Sequence, residues 1–138
     1  MTGPSILDWS GLRALMTAPK PPLTCTGYAI GKDPLRVRFD GAGRFTRLDT
    51  GEDLVGESWL TSALEPARLA ALDAAEGVLT GTDVVAGRPC TIAEVSGLRG
   101  GKATIRAWVD DVTGCIVRME RSEDPAPLVV VGDLRVEG

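Results

Sequence analysis

The sequence predicts an α+β domain in which an antiparallel sheet of about seven or eight strands carries two helical segments on one face. Three observations lead there. After Leu23, apolar and polar residues alternate with a period of two through most of the chain. The alternating runs are separated by short glycine-containing turns of hairpin type. Helical spacing occurs in only two places, so the β-α-β rhythm of a doubly wound parallel sheet is missing.

Ser5 is placed to cap a first helix, with Asp8 three residues on as an acidic variant of the capping box. Ile6, Leu7, Trp9, Leu12, Leu15 and Met16 supply its apolar face. Pro19, Pro21 and Pro22 end it, because proline lacks the amide proton and biases its predecessor toward extended geometry. Residues 1–20 thus read as a helix with a proline-rich linker. Leu23 to Ile30 is the first strand, joined through Gly31-Lys32-Asp33-Pro34 to a second in which Leu35, Val37 and Phe39 face one way and Arg36, Arg38 and Asp40 the other. Gly41-Ala42-Gly43 reverses the chain into Arg44 to Thr50, which makes these three strands a meander.

Glu57 to Ala75 is the second helical segment, with Trp59, Leu60, Ala63, Leu64, Leu69 and Leu72 on its apolar side and Pro66 dividing it. Pro66 suits the first position of the second piece, where its missing donor costs nothing. Beyond Gly77, the runs Val78 to Val85 and Cys90 to Val95 flank Ala86-Gly87-Arg88-Pro89, and Gly97 to Gly101 leads into Ala103 to Asp110. Asp110 to Gly114 turns the chain into Cys115 to Arg121, and after Asp124 to Pro127 a last strand runs from Leu128 to Val136.

A length of 138 residues suits a single domain, one core being enough to bury roughly 70% of the unfolded surface. The net charge of -4 is modest and the two signs are interspersed, so nucleic acid is not an expected partner. Met1 to Ser10 lacks a basic n-region, and no apolar run approaches the roughly 20 residues of a membrane span. The sequence as written therefore reads as cytoplasmic, or as secreted or cell-envelope if a leader has been removed. Cys25, Cys90 and Cys115 are widely spaced, form no C-x-x-C pair and have no histidine to join them, so neither a metal nor a cofactor is expected. Buried reduced thiols are the favoured reading of the three, a disulfide between two of them the alternative.

Gly87-Arg88-Pro89-Cys90, followed by Trp108-Val109-Asp110, Thr113-Gly114 and Ile116-Val117-Arg118, resembles the pattern of the LolA-like half-barrel superfamily. That group contains lipoprotein carriers, mycobacterial lipid-binding lipoproteins and the RseB/MucB regulators that sense mislocalised lipoproteins. The resemblance spans Leu23 to Val136 and is strongest over Val78 to Arg121. It implies that the sheet, residues 23–136, is curved into an incomplete β-barrel, with the helical insertion 57–75 against a concave apolar face that holds acyl chains.

With no histidine in the chain, Ser-His-Asp and Cys-His catalysis are excluded. Asp110-Asp111 reads as a turn, since neighbouring side chains diverge and aspartate favours such positions. Gly41, Gly43, Gly97, Gly100 and Gly101 do not open a helix with a lysine and a hydroxyl residue, so hairpin turns account for them better than phosphate loops. Arg36, Arg38, Arg44, Arg47, Arg106 and Arg118 recur on strands and read as a solvated face paired with acids, or else as an anion-binding ladder. Trp108 shares its phase with Thr104, Arg106 and Asp110, opposite to Ile105, Ala107 and Val109. A tryptophan on a polar face calls for cover by a helix or by a partner.

Two functions without enzymatic chemistry follow. The first, motivated by the resemblance, is binding of a hydrophobic small molecule such as an acyl chain. Its cavity would be lined by Leu35, Val37, Phe39, Ile105, Val109, Val117 and Met119 and covered by Trp59, Leu60 and Leu64. Equally, those residues could fill an ordinary core. The second is a protein-interaction or regulatory module, including a homodimer, that uses the open sheet edges or the face bearing Trp108, Arg106 and Arg118.

Overall fold

A computed structural model describes the backbone of residues 8–29, 31–54, 60, 63, 64, 66, 76–96, 104–121 and 124–137. Eight strands form one antiparallel sheet: β1 (Leu23–Ala29), β2 (Leu35–Phe39), β3 (Phe45–Arg47), β4 (Glu76–Val85), β5 (Arg88–Ser96), β6 (Thr104–Asp110), β7 (Ile116–Arg121) and β8 (Asp124–Val136). Their order is β3-β2-β1-β8-β7-β6-β5-β4. Two meanders therefore meet where β1 pairs with β8, and the sheet stays open because β3 and β4 lie at opposite edges. The result is an α+β half-barrel-like sheet with one helix, α1 (Trp9–Thr17), packed on it.

Helix α1 begins at Asp8 and not at Ser5, which lies with Ile6 and Leu7 outside the described residues. Asp8 is extended, and its carboxylate accepts from Gly11 N at 2.9 Å, satisfying a donor that the first turn would leave unpaired and complementing the helix dipole. Leu12 and Met16, one turn apart, enter the core. At the other end the Lys20 ammonium donates to the carbonyls of Leu15, Met16 and Ala18, each at 2.9 Å, so a half-turn of orphan acceptors is closed by one side chain. Burial pushes that ammonium below its ordinary value.

The strands follow the alternation of the sequence. Cys25, Val37, Ala93, Val95, Ile105, Ala107, Val109, Met119, Val129 and Val131 are buried on strands of one hydrophobic cluster, and Phe39 stacks on the Phe45 opposite it with ring centroids 4.9 Å apart. Of the predicted helix 57–75, Leu60, Ala63 and Leu64 are helical and fully buried, and the Cys115 thiol reaches the Leu64 carbonyl; the rest, Trp59 included, lies outside the described residues apart from Pro66.

Three boundaries differ from the periodicity. β3 stops at Arg47 because the chain turns through Gly51 and folds back, with Arg47 N donating to Glu52 O and Leu54 N to Phe45 O. β8 extends back to Asp124 across irregular pairing with β7. β4 ends at Val85 as expected, but β5 begins at Arg88 and not Cys90, pairing with Val85, so only Ala86 and Gly87 form the loop. Both have positive φ, 50° and 81°, the geometry of a type I′ hairpin turn.

Alanine is a poor residue for that left-handed position, where asparagine is favoured. Ala86→Asn is expected to stabilise the protein by about 0.5 to 1 kcal/mol, seen as a higher urea midpoint at an unchanged slope.

Candidate functional site

The inner face places most of the residues expected to line a cavity. Val37, Phe39, Leu60, Leu64, Ile105, Val109, Val117 and Met119 are buried members of a single cluster, and Leu35 packs against it half-buried. They contact one another as a core does. Among the described residues one cleft of about 230 Å3 is lined by Gly43, Arg44, Phe45, Asp53 and Leu54, and another of about 130 Å3 lies between Met16 to Lys20, Gly41 and the inner-face Phe39. Both fall short of the roughly 300 to 1,000 Å3 typical of a small-molecule site.

The outer face holds Trp108. Trp108 stands directly opposite Arg118, whose guanidinium carbon lies 5.5 Å from the indole centroid, and the ring is only 8% exposed. Arg118 is held in turn by Glu120 at 2.7 Å, while Arg106 donates to Glu94 at 3.0 Å and lies 3.9 Å from Glu120. The strand arginines of this face are thus a lattice paired with acids. The indole N–H donates to Asp83 Oδ2 at 3.2 Å, which ties the outer face to the edge strand β4.

The two edges are unlike. Beside β3, residues 52–54 bridge back, Asp53 pairing with Thr46, so the chain covers that edge itself. β4 has β5 on one side and no strand on the other among the described residues. Pro89 O accepts from Asp111 N, so the bonding groups of Pro89 face β6, and its partner Val84 has its N–H and C=O directed to the open edge. By alternation those of Thr82 point the same way, whereas Asp83 and Val85 face β5. Val78 and Val84 are 68% and 67% exposed. A bulge at Thr80 puts them on opposite faces of the sheet, because Val78 stands opposite Glu94 on the outer face and Thr82 opposite the buried Thr91 on the inner one.

At the far end of β4 and β5 sits a buried ion pair. Arg88 Nε and Nη2 each donate to the Asp110 carboxylate at 3.0 Å, and Nη1 reaches Leu134 O at 3.2 Å. Thr113 adds its N–H at 3.0 Å and its hydroxyl at 2.5 Å. Burial alone would raise Asp110, but the bonds from Arg88 and Thr113 outweigh it and hold the carboxyl below its ordinary value. Asp111 turns aside and accepts from Thr91 Oγ1, so the two aspartates do not converge.

Cys25, Cys90 and Cys115 are free and buried. Burial pushes Cys25 up to about 12 and Cys90 up to about 11, and raises Cys115, so none is poised as a thiolate. Among the described residues no cluster of three or more His, Cys, Asp or Glu could hold a metal, and no helix is long and apolar enough to cross a membrane.

The fold is an open, half-barrel-like antiparallel sheet. Among solved structures it is similar to the crystal structure of MucB, with a TM-score of 0.58 over 94% of this chain at 16% identity. This chain spans 58% of that MucB chain. No family model matches the sequence, and no curated protein matches it.

Because the folded-state pKa of Asp110 is depressed, its contribution to stability is fully present above the unfolded value near 4 and is lost as pH falls through the folded one. Asp110→Asn is therefore expected to be less stable than wild type by about 3 kcal/mol at pH 7. The gap should narrow in urea titrations taken below about pH 4. A gap independent of pH would contradict an ionised Asp110.

Proposed function

We propose that the chain is a non-enzymatic binding or regulatory module that captures an extended segment of another polypeptide by strand addition to β4. The observation that carries this reading is the asymmetry of the edges: the short β3 is covered by the chain's own residues 52–54, while the ten-residue β4 directs backbone donors and acceptors at Thr82 and Val84 outward. Outward amides and carbonyls in register are what an added strand requires, and the exposed valines offer it apolar contacts. Likeness in fold to MucB agrees with a binding or regulatory role.

A segment of a different chain fits better than a second copy. Antiparallel self-pairing about Gly81 would set Val78 against Val84 of the other copy, and the bulge leaves those side chains on opposite faces. The exposed acids Glu76 and Asp83 would also lie along both copies' edges. Binding of an acyl chain by Leu35, Val37, Phe39 and their neighbours has less support, because the described residues of that face already pack on one another.

The test is titration of the protein into a labelled net-neutral peptide in which valine alternates with lysine and glutamate, followed by fluorescence anisotropy and by amide shifts. Wild type should bind with shifts confined to β4 and β5. Thr82→Pro removes an outward N–H that β5 does not use, so the protein should keep its thermal transition and bind the peptide about fivefold to tenfold more weakly. Val84→Pro, at the other outward position, should also weaken binding, by a smaller factor. Equal binding by folded Val84→Pro and Thr82→Pro, or shifts away from β4, would overturn the reading; concentration-dependent dimerisation lost in both variants would assign the edge to a second copy instead.

A further inference from the structure

The open edge is not wholly open. Val84 N–H, one of its outward donors, is taken by the carboxylate of the preceding residue, Asp83 Oδ1, at 2.7 Å. The other oxygen of that carboxylate accepts from the Trp108 indole at 3.2 Å, and the indole is held under the Arg118 guanidinium. Asp83 itself is exposed. We propose, resting on the strand-addition reading, that Asp83 is a lock on the β4 edge: it occupies the donor an incoming strand would use, and the indole of Trp108 keeps it in place.

The physics is a competition for one N–H. The Asp83 carboxylate competes with the carbonyl of an arriving strand for this N–H, so the strand gains less there than from a free donor. Removal of a strained or solvent-exposed side chain ordinarily leaves binding at a neighbouring edge unchanged, whereas removal of a competitor strengthens it. The lock also accounts for how a ten-residue edge with exposed valines avoids indiscriminate pairing, since only a segment able to displace Asp83 gains the full register. It gives the outer-face tryptophan a task as well: the Trp108 ring carries the contact from the paired arginines of β6 and β7 out to the edge.

The same net-neutral peptide tests this. Asp83→Ala should keep the thermal transition and bind about tenfold more tightly than wild type. Asp83→Asn keeps an oxygen for Val84 N–H but sets its NH2 against the Trp108 indole N–H, and should fall between wild type and Asp83→Ala. If Asp83→Ala binds no more tightly while Val84→Pro still loses affinity, the edge reading survives and the lock is wrong. If Asp83→Asn binds more tightly than Asp83→Ala, release of the N–H is not what strengthens binding, and the lock is likewise wrong. Peptide binding indifferent to both Val84→Pro and Thr82→Pro removes the edge, and the lock with it.

Discussion

The arrangement depends on the buried Asp110 carboxylate. It ends β6, and by accepting from Thr113 it closes the turn into β7; by accepting from Arg88 it ties that turn to the start of β5 and, through the same guanidinium, to Leu134 of β8. The turn it shapes carries Gly114, whose positive φ and missing side chain let the C-terminus of α1 sit directly on it; a Cβ there would run into the Leu15 carbonyl. The Lys20 ammonium, which closes α1, lies beside the same glycine, and its own backbone carbonyl abuts Gly41 in the β2-β3 turn. One satisfied charge thus sets how the helix lies on the sheet and how both meanders meet it. A buried ion pair of this kind need not add stability over an apolar pair, but breaking it leaves an uncompensated charge.

With the helix so seated, the inner face has little left to do but pack. Leu12 and Met16 of α1 and the buried Leu60 and Leu64 belong to the same cluster as Val37, Phe39, Val109 and Met119. Trp9 lies over Gly77, where a Cβ would come within 2.5 Å of the indole ring, so even the edge strand is drawn against the helix. The chemistry available to other molecules is therefore on the outer face and at the rim. On the outer face Arg106 and Arg118 are already paired with Glu94 and Glu120, and at the β3 rim the chain covers itself. What remains is β4, with Asp83 laid across it.

The local part of this structure was legible in the residues. Alternation in Leu35 to Phe39 and in Ala103 to Asp110 marks strands and their buried faces, glycine turns mark the hairpins, and the phase of Trp108 places it on the polar side. The rest depends on partners far apart in sequence. That Arg118 covers Trp108 follows from a register in which the two stand opposite each other, and a bulge beside them could shift it by one residue. That Arg88 neutralises Asp110 follows from β5 lying next to β6 with Ala86-Gly87 as its turn. Which strands become edges was beyond alternation altogether, because it follows from the pairing of β1 with β8 across most of the chain. Alternation also finds the apolar face without saying whether it is hollow, since that depends on the volumes facing it. Ser5 fits the capping rule from local sequence, but the helix is capped by Asp8, from which Leu12 and Met16 enter the core.

The most direct measurement is amide hydrogen exchange along β4 of the protein alone. An edge open on one side predicts alternation: Asp83 and Val85 slow, because they pair with β5; Thr82 fast, because it faces water; and Val84 between them, because Asp83 holds its N–H. Equal protection of Thr82 and Val85 would mean that the edge is covered, and would contradict the account.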